Sequence, residues 1–328
     1  MESITKNRQS LDSLRAMVAR AYGPDAVPDG DAWVHEEGHG WFNVVYRLTL
    51  ADGRQVALKI APPSDVDVMT YEHGAMRTEL AALRLIAAHT SVPVPAIDHA
   101  DLSHDLVDAD YFFMPYVVAD NLGLVRDRLD PAEADGYLAA LGAANRELNT
   151  IRGQAFGPLA APTHPTWRAA FTAMFDDVLD DGRRKDVEIG RSYDDVRAVL
   201  TAHEHLLDEV TEPRYVEWDL WALNTLVRDG EIACIVDHER ALFGDPLIEA
   251  GFVGLESPAL GDPTAFVRGY GRGPLTGSEQ VRRRLYTLYL VLIMTIETVY
   301  RGHTDTHQYD WARERLDEAM AALPGRGA

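Results

Sequence analysis

The stretch VEWDLWALNTLV, residues 216–227, places Asp219 between two tryptophans and Asn224 five residues further along the chain. Two apolar runs follow, NTLVRD and EIACIVD, and the Asp-Gly dipeptide between them is typical of a β-hairpin turn. The second run ends at Asp237. A short apolar strand that ends in an acid presents that acid at the rim of the core, where a ligand can reach it. The stretch therefore predicts a hairpin with polar groups beside it.

The composition predicts a globular protein of more than one lobe. The chain has 328 residues, more than one small core usually organises. With 31 basic and 52 acidic residues its net charge is −21, which repels nucleic acid and anionic membranes and attracts cationic partners. The same charge also serves solubility alone, and both interpretations stay open. We expect no nucleic-acid or membrane partner, and the composition leaves the oligomeric state unknown.

Neither the N-terminus nor the longest apolar run indicates a targeting segment. The first residues lack the basic and apolar regions of a signal peptide, and the run at 288–296 is too short to span a bilayer. The one cysteine, Cys234, cannot form an internal disulfide and is expected to pack in the core. These features predict a cytoplasmic protein.

The first part of the chain has the pattern of a strand-rich lobe. Apolar residues of SLDSLRAMVARAYG recur at helical spacing, and the runs at 41–50 and 54–61 are strands joined by a hairpin turn. A helix is predicted over 70–89, and extended segments over 92–100 and 110–118.

The pattern becomes helical from Asp130 onward, because Asp130 can cap a helix whose first residue is Pro131. Further helices are predicted at about 166–181, 193–210, 276–301 and 307–322. The hairpin around 224–237 supplies the only strands expected in this half. The predicted fold class is α+β with two lobes, residues 1–117 and 118–328, joined by a short linker near 118–122.

The spacing of Asp219 and Asn224 matches the D-x-x-x-x-N pattern of kinase catalytic loops. In that pattern the aspartate accepts the proton of the substrate hydroxyl, and the asparagine binds magnesium. Asp237, thirteen residues after Asn224, stands where a second carboxylate binds the metal. Any one of these residues is equally well explained as a turn or cap residue. The three in this order predict phosphoryl transfer.

A lysine in the first lobe supports this prediction. Lys59 lies inside the apolar strand VALKI, where an ammonium group is costly to bury unless it meets an anion. It matches the strand lysine that holds the α- and β-phosphates of a nucleotide. Glu79, on the following helix, is the expected carboxylate partner of this lysine, and Glu72 is the alternative.

A glycine-containing loop precedes the first predicted strand. Gly38, Gly40 and Asn43 form G-x-G-x-x-N, which fails as a dinucleotide-binding fingerprint because a strand rather than a helix follows. As a loop between two strands it is compatible with covering the phosphates of a nucleotide.

Together these motifs resemble the aminoglycoside phosphotransferase family, a branch of the protein-kinase-like fold that also includes choline, fructosamine and homoserine kinases. The family's catalytic stretch, H-G-D-x-x-x-x-N followed by I-D, is similar to EWDLWALN and IVD here. The Leu-Trp pair after Asp219 is similar to fructosamine kinases, and the family's Gly-Asp-Pro is present at 244–246. The resemblance spans roughly residues 35–300. It implies a two-lobed protein-kinase-like fold with a nucleotide-binding N-terminal lobe.

The resemblance also implies an activity. It points to an enzyme that uses ATP and Mg²⁺ to phosphorylate a hydroxyl of a small molecule such as an aminoglycoside, another antibiotic or an amino sugar. The net charge favours a cationic or neutral acceptor. FFMPYV resembles the hinge whose backbone meets adenine, through Met114, the carbonyl of Pro115 and the N–H of Val117. Glu217 and Trp221 are candidate acceptor contacts, although packing explains Trp221 equally well.

The catalytic stretch departs from the family pattern at two positions, where Glu217 replaces histidine and Trp218 replaces glycine. The histidine supports the loop through hydrogen bonds, whereas an ionised glutamate only accepts them. Glu217 also adds negative charge beside Asp219 and Asp237, which should raise the pKa values of those carboxylates unless a cation compensates.

Two other functions were weighed against the enzyme. A non-catalytic pseudokinase that binds a ligand as a regulatory module is favoured by Glu217, but Lys59, Asp219, Asn224 and Asp237 together oppose it. A protein kinase is disfavoured because neither D-F-G nor A-P-E follows the hairpin.

Two histidine pairs share an i, i+4 spacing but predict no metal site. They are His35 with His39 and His303 with His307. No third ligand is placed beside either pair by the sequence, so loop or surface positions are expected.

Overall fold

The computed structural model describes residues 3–38 and 40–323. Within these ranges the chain forms a strand-rich N-terminal lobe and a larger helical lobe, the α+β arrangement that the sequence predicts. No helix in the described part of the chain combines the length and the apolar composition needed to cross a membrane.

The N-terminal lobe is an antiparallel five-stranded sheet with a helix on each face. Its strands lie in the order β1-β2-β3-β5-β4. They are β1 (Val34–Glu37), β2 (Val44–Thr49), β3 (Gln55–Ile60), β4 (His99–Asp101) and β5 (Tyr111–Pro115). Helix α1 (Leu11–Tyr22) covers one face, and α2 (Ala75–His89) covers the other. Strand β3 is consequently buried along almost its whole length, so Lys59 enters the lobe through apolar surroundings.

The strand and helix bounds in this lobe correct three sequence predictions. The run predicted as one strand at 41–50 begins only at Val44, and β1 was not predicted. The helix predicted over 70–89 begins at Ala75, because Gly74 takes a left-handed conformation with φ of 74°. The residues Thr70–Glu72 before it form a separate 3-10 turn. Glu72 therefore does not share a helix with Glu79.

The second lobe is built around α8. Its helices are α3 (Leu122–Val125), α4 (Pro131–Leu148), α5 (Trp167–Arg184), α6 (Tyr193–His203), α7 (Thr264–Tyr270), α8 (Gly277–Tyr300) and α9 (His307–Ala322). Most of α8 is buried, and it forms one large core with α5 and the catalytic stretch. The helix predicted over 193–210 ends at His203 and continues as a 3-10 turn.

The second lobe contains more strands than the single predicted hairpin. The hairpin itself is present as β9 (Thr225–Arg228) and β10 (Glu231–Ile235), and β6 (Asp120–Asn121), within the predicted linker, joins it. A second small sheet consists of β7 (Gly157–Pro158), β8 (Arg214–Val216) and β11 (Leu242–Gly244). These strands have only two or three residues, too few to show an alternating pattern in sequence. The proposed boundary between residues 117 and 118 stays a prediction.

Two buried contacts hold the lobes together at the 3-10 turn before α2. The N–H and the hydroxyl of Thr70 donate to the two carboxylate oxygens of Asp181 on α5, and both distances are 2.7 Å. Beside it, Arg301 at the end of α8 forms a two-pronged ion pair with Glu72. The second contact explains why Glu72 is not the partner of Lys59. The entrance to α2 is thus tied to the second lobe.

Candidate active site

The catalytic stretch forms a loop between β8 and β9 that is held from the second lobe's core. Trp218 has a φ of 65° and its ring stacks on Tyr289, with ring centres 5.3 Å apart. The carboxylate of Glu249 accepts the backbone N–H of Trp218 at 3.0 Å and that of Leu220 at 2.9 Å. The backbone on both sides of Asp219 is therefore fixed by one buried side chain. Glu249 was not identified from the sequence, although it follows closely after the Gly-Asp-Pro motif.

Asp219 lies at the rim of this loop with its side chain 16 % exposed. One carboxylate oxygen accepts the indole N–H of Trp221 at 2.6 Å, and the other accepts the side-chain amide of Asn224 at 3.2 Å. The guanidinium of Arg240 stands 4.0 Å away. Burial raises the pKa of Asp219 above its usual value, and the charge of Arg240 opposes this shift. The carboxylate is thus oriented by two donors and partly accessible to a hydroxyl group.

Arg240 was not identified from the sequence. Its guanidinium lies 5.2 Å from the ring centre of Tyr71 and 5.6 Å from that of Trp218, and 3.8 Å from the carboxylate of Glu297. Arg240 lies beyond the hairpin, three residues after Asp237, and nothing in the sequence indicates that it contacts Asp219.

Four charged side chains meet where β3 and α2 of the first lobe contact the segment that follows β10. The ammonium group of Lys59 lies 2.6 Å from Glu79, 2.5 Å from Asp237 and 3.5 Å from Glu239. Burial lowers the pKa of Lys59, but Asp237 and the two glutamates outweigh it and raise the pKa well above its usual value. Burial and the charge of Asp237 raise the pKa of Glu239 to about 8. The group therefore contains more acidic side chains than Lys59 can neutralise, and the raised pKa of Glu239 is the consequence.

The carboxylates of Glu79, Asp237 and Glu239 fit a divalent cation. One oxygen from each lies within 4.8 Å of the others. Asn224 lies next to this group. The backbone N–H of Val236, the neighbour of Asp237, donates to the backbone carbonyl of Asn224 at 3.0 Å. Its amide N–H groups face Asp219, which leaves the amide oxygen as a possible ligand. Oxygen ligands of this kind are those that Mg²⁺ prefers. Glu239 was missed from the sequence, although it lies only two residues after Asp237.

The predicted phosphate loop and hinge adjoin β2 and β5, the two strands that flank β3 and its Lys59. Gly38, Gly40 and Asn43 lie between β1 and β2, and Gly40 has a φ of 94° that favours glycine. The side-chain amide of Asn43 donates to Glu239, which joins this loop to the carboxylate group.

At the hinge, Met114 and Pro115 pair with β3, while Val117 follows the end of β5. Among the described residues the Val117 N–H has no acceptor, as expected of a group that can donate to adenine. Contact of these hinge residues with a nucleotide stays a prediction.

Glu217 does not face the acceptor side, which contradicts its assignment as a candidate acceptor contact. It is only 1 % exposed. One of its oxygens accepts the hydroxyl of Tyr215 at 2.6 Å, and the other lies 2.8 Å from Nδ1 of His238. Burial lowers the pKa of His238, but Glu217 outweighs it and the pKa is raised. Glu217 is not among the main causes of the pKa shifts of Asp219 and Asp237. Burial raises the pKa of Asp219, whereas at Asp237 burial is outweighed by the charge of Lys59, which lowers the pKa.

One of the two histidine pairs lies wholly within the described residues. His35 lies in β1, and His39 lies outside the described residues. His303 packs against Trp41 of the glycine loop with ring centres 4.3 Å apart, whereas His307 begins α9. Cys234 is buried in β10, as predicted. Trp221 is half-buried, and its contact with an acceptor stays a prediction.

Residues 34–286 match the phosphotransferase enzyme family. No curated protein matches the chain in sequence. Among solved structures, a thermostable mutant of the aminoglycoside phosphotransferase APH(4)-Ia, in complex with ADP and hygromycin B, has a TM-score of 0.69 at 18 % identity, covering 96 % of this chain and 100 % of that one. A protein from Thermobifida fusca assigned as a fructosamine-3-kinase has a TM-score of 0.67 at 21 % identity, with 96 % and 99 % covered. The ternary complex of streptomycin, ATP and APH(2")-IIa has a TM-score of 0.64 at 12 % identity, with 96 % and 99 % covered. These likenesses show the fold.

Proposed function

Since the chain belongs to the phosphotransferase enzyme family, we propose that it transfers the γ-phosphoryl group of ATP to a hydroxyl of a small molecule. The observation that supports this most directly is the meeting of Lys59 with Glu79, Asp237 and Glu239. In such a group the lysine offers a cation to the phosphates of a metal–nucleotide complex, and the carboxyl groups offer oxygen ligands to its metal.

In the proposed reaction Asp219 orients the acceptor hydroxyl and takes its proton as the phosphoryl group is transferred. Lys59, oriented by Glu79, contacts the phosphates. Asp237, Asn224 and Glu239 would hold Mg²⁺, which when bound neutralises charge on the phosphates. No covalent intermediate on the protein is required, since positioning and charge neutralisation provide most of the catalysis in such reactions.

The proposed acceptor is a cationic or neutral hydroxyl compound such as an aminoglycoside or an amino sugar. The net charge of −21 supports this, because it raises the local concentration of cations. Two of the structural neighbours bind hygromycin B or streptomycin. Near the base, Arg240 already balances Asp219, so acceptor amino groups would be bound by other acids of the second lobe.

The test is ADP release with ATP and Mg²⁺ in the presence of a broad panel of acceptors, with carboxylated and phosphorylated sugars included for comparison. We expect acceptor-dependent release with an aminoglycoside or amino sugar and its loss in Asp219→Asn. A protein that binds ATP but shows no acceptor-dependent release, and no difference from Asp219→Asn, would instead be a pseudokinase. The pairing of Glu217 with His238 gives this glutamate a structural partner, which supports the enzyme over this alternative.

A further inference from the structure

Two buried residues that the proposed reaction does not use connect the two sides of the active site. Glu217 precedes Asp219 by two residues in the catalytic loop, and His238 directly follows Asp237 at the end of β10. Their side chains are 1 % and 0 % exposed, so neither can touch a substrate. Their contact at 2.8 Å nevertheless joins the segment that carries the proposed base to the segment that carries the proposed metal ligand.

The hydrogen-bond partners of this pair define its protons. Nε2 of His238 lies 3.0 Å from the carbonyl of Ile235, which can only accept, so Nε2 carries hydrogen. The other Glu217 oxygen accepts the Tyr215 hydroxyl at 2.6 Å. The contact between Nδ1 and the carboxylate departs from hydrogen-bond geometry, so its attraction is chiefly electrostatic. Each member of the pair thus has a second polar partner, Tyr215 for Glu217 and the Ile235 carbonyl for His238, so the contact is held from both segments.

Such a pair is sensitive to the loss of either member. Removal of one partner of a buried ion pair leaves an uncompensated charge, whereas replacement of both by neutral groups of similar volume is tolerated better. The backbone of the catalytic loop is already held to the core by Glu249. The Glu217–His238 contact adds a different constraint, because it sets the loop against the strand end that bears Asp237.

We propose that Glu217 and His238 are positioning residues that fix Asp219 relative to Asp237, and that His238 supplies, from the segment that follows β10, the imidazole which the resembled family carries on the catalytic loop. This inference rests on the proposed function. It has a direct consequence for Glu217→His, the change that restores the family's residue. That substitution places two imidazoles side by side in a buried site and removes the carboxylate between His238 and Tyr215, so it should harm the enzyme.

The test is a double-mutant cycle of Glu217→Gln, His238→Gln and the double variant, together with Glu217→His. Acceptor-dependent ADP release, binding of AMP-PNP with and without Mg²⁺ by calorimetry, and unfolding of the ligand-free protein are measured for each. The control is Arg282→Gln, which breaks another buried ion pair, with Asp245 at 2.9 Å, whose two residues lie outside the catalytic loop and outside the segment that carries Asp237.

Each single Gln variant and Glu217→His should lower kcat by about 10- to 100-fold, and the double variant should lose less than the product of the single losses. The Mg²⁺-dependent part of AMP-PNP binding should weaken in the single variants, because Asp237 is displaced. The control should lose stability but keep kcat and the Mg²⁺ effect within about threefold.

Two results would overturn the inference: full activity of Glu217→His, or coupling between the two positions in unfolding alone, with neither kcat nor the Mg²⁺ effect changed. Either would make the pair a packing feature. A wild-type protein that neither binds AMP-PNP nor releases ADP would contradict the proposed function instead, so the two failures are separate. If Glu217→His does not fold, the Gln cycle decides the question.

Discussion

The two sides of the active site differ in how their charges are balanced. On the loop side, Glu217 pairs with His238, Asp219 faces Arg240, and Glu249 accepts backbone N–H groups. On the nucleotide side, one lysine faces three carboxylates. A group that is balanced by its own neighbours is held in place, whereas surplus carboxylate charge in a buried site is relieved by a cation. The difference indicates that the loop side is preorganised, and under the proposed function the nucleotide side is completed by a metal and a nucleotide.

The largest effect is expected from loss of the base on the loop side. Asp219→Asn keeps the shape of the side chain but removes the proton acceptor, so turnover should fall by roughly two to four orders of magnitude. Nucleotide affinity, measured by calorimetry, should change little, because Asp219 is not among the groups that face Lys59.

Asp229→Asn is the matched control, since Asp229 is exposed in the hairpin turn with a φ of 53°, a conformation that asparagine accepts. Equal turnover in Asp219→Asn and Asp229→Asn would remove the base from the scheme.

A smaller effect is expected from the lysine on the nucleotide side. Lys59→Ala removes a charged contact to phosphate and should weaken ATP–Mg²⁺ binding by about 10- to 100-fold. The control is Lys185→Ala, a lysine paired with Asp67 at 2.6 Å on the surface. Unchanged nucleotide affinity in a folded Lys59→Ala protein, measured by calorimetry, would contradict the assignment of this side of the active site.

Glu249, which holds the backbone of the catalytic loop, predicts a pH dependence of stability. Burial raises the pKa of Glu249 to about 7, although the backbone N–H groups oppose the shift, compared with about 4.5 in the unfolded chain. Between pH 4.5 and pH 7 the folded protein therefore keeps a proton on Glu249 that the unfolded chain has released. The stability that this proton contributes is fully present below pH 4.5 and is lost as the pH rises through 7.

Comparison of wild type with Glu249→Gln by chemical unfolding at several pH values should show this as a difference in slope. The wild-type unfolding free energy should fall more steeply between pH 4.5 and 7 than that of the variant. Parallel curves would show that Glu249 is ionised throughout this range.

The smallest effect concerns long-range charge. If acids of the second lobe attract a cationic acceptor, its apparent affinity should weaken by a few-fold as ionic strength rises from about 0.01 to 0.15 M, over which the Debye length shortens from about 30 to 8 Å. A neutral sugar serves as the control acceptor, with no such dependence. An anionic compound as the best acceptor would contradict the charge argument.

The chain pattern predicted those features that short stretches of sequence encode. The hairpin of β9 and β10, the order of the lobes and the burial of β3 around Lys59 follow from turn residues and apolar runs. The short strands β7, β8 and β11 were missed, because two or three residues show no periodicity. The helix start at Ala75 was missed because Gly74 in its left-handed conformation interrupts a continuous helical pattern.

The candidate site was predictable where the chemistry depends on spacing. Asp219, Asn224 and Asp237 belong to one loop and hairpin, so their separation along the chain determines their proximity. The partners of Glu217, Glu72 and Asp219 lie elsewhere in the sequence, and His238, Arg301 and Arg240 reach them only when the lobes and strands pack. Ion pairs of this kind depend on which surfaces meet in the folded protein, and the order of charges along the chain does not predict which surfaces those are.

By itself the sequence determined which residues could accept a proton, bind a metal or contact phosphate, because those capacities belong to the side chains and to their local spacing. Only the tertiary structure decided which charges are neutralised within the protein and which remain for a ligand. Glu217 is the clearest case: in the sequence it adds a negative charge next to the base, and in the fold it is paired with His238. The reason is that the energy of a charge depends on its burial and on its neighbours in space, both of which arise only when distant segments pack together.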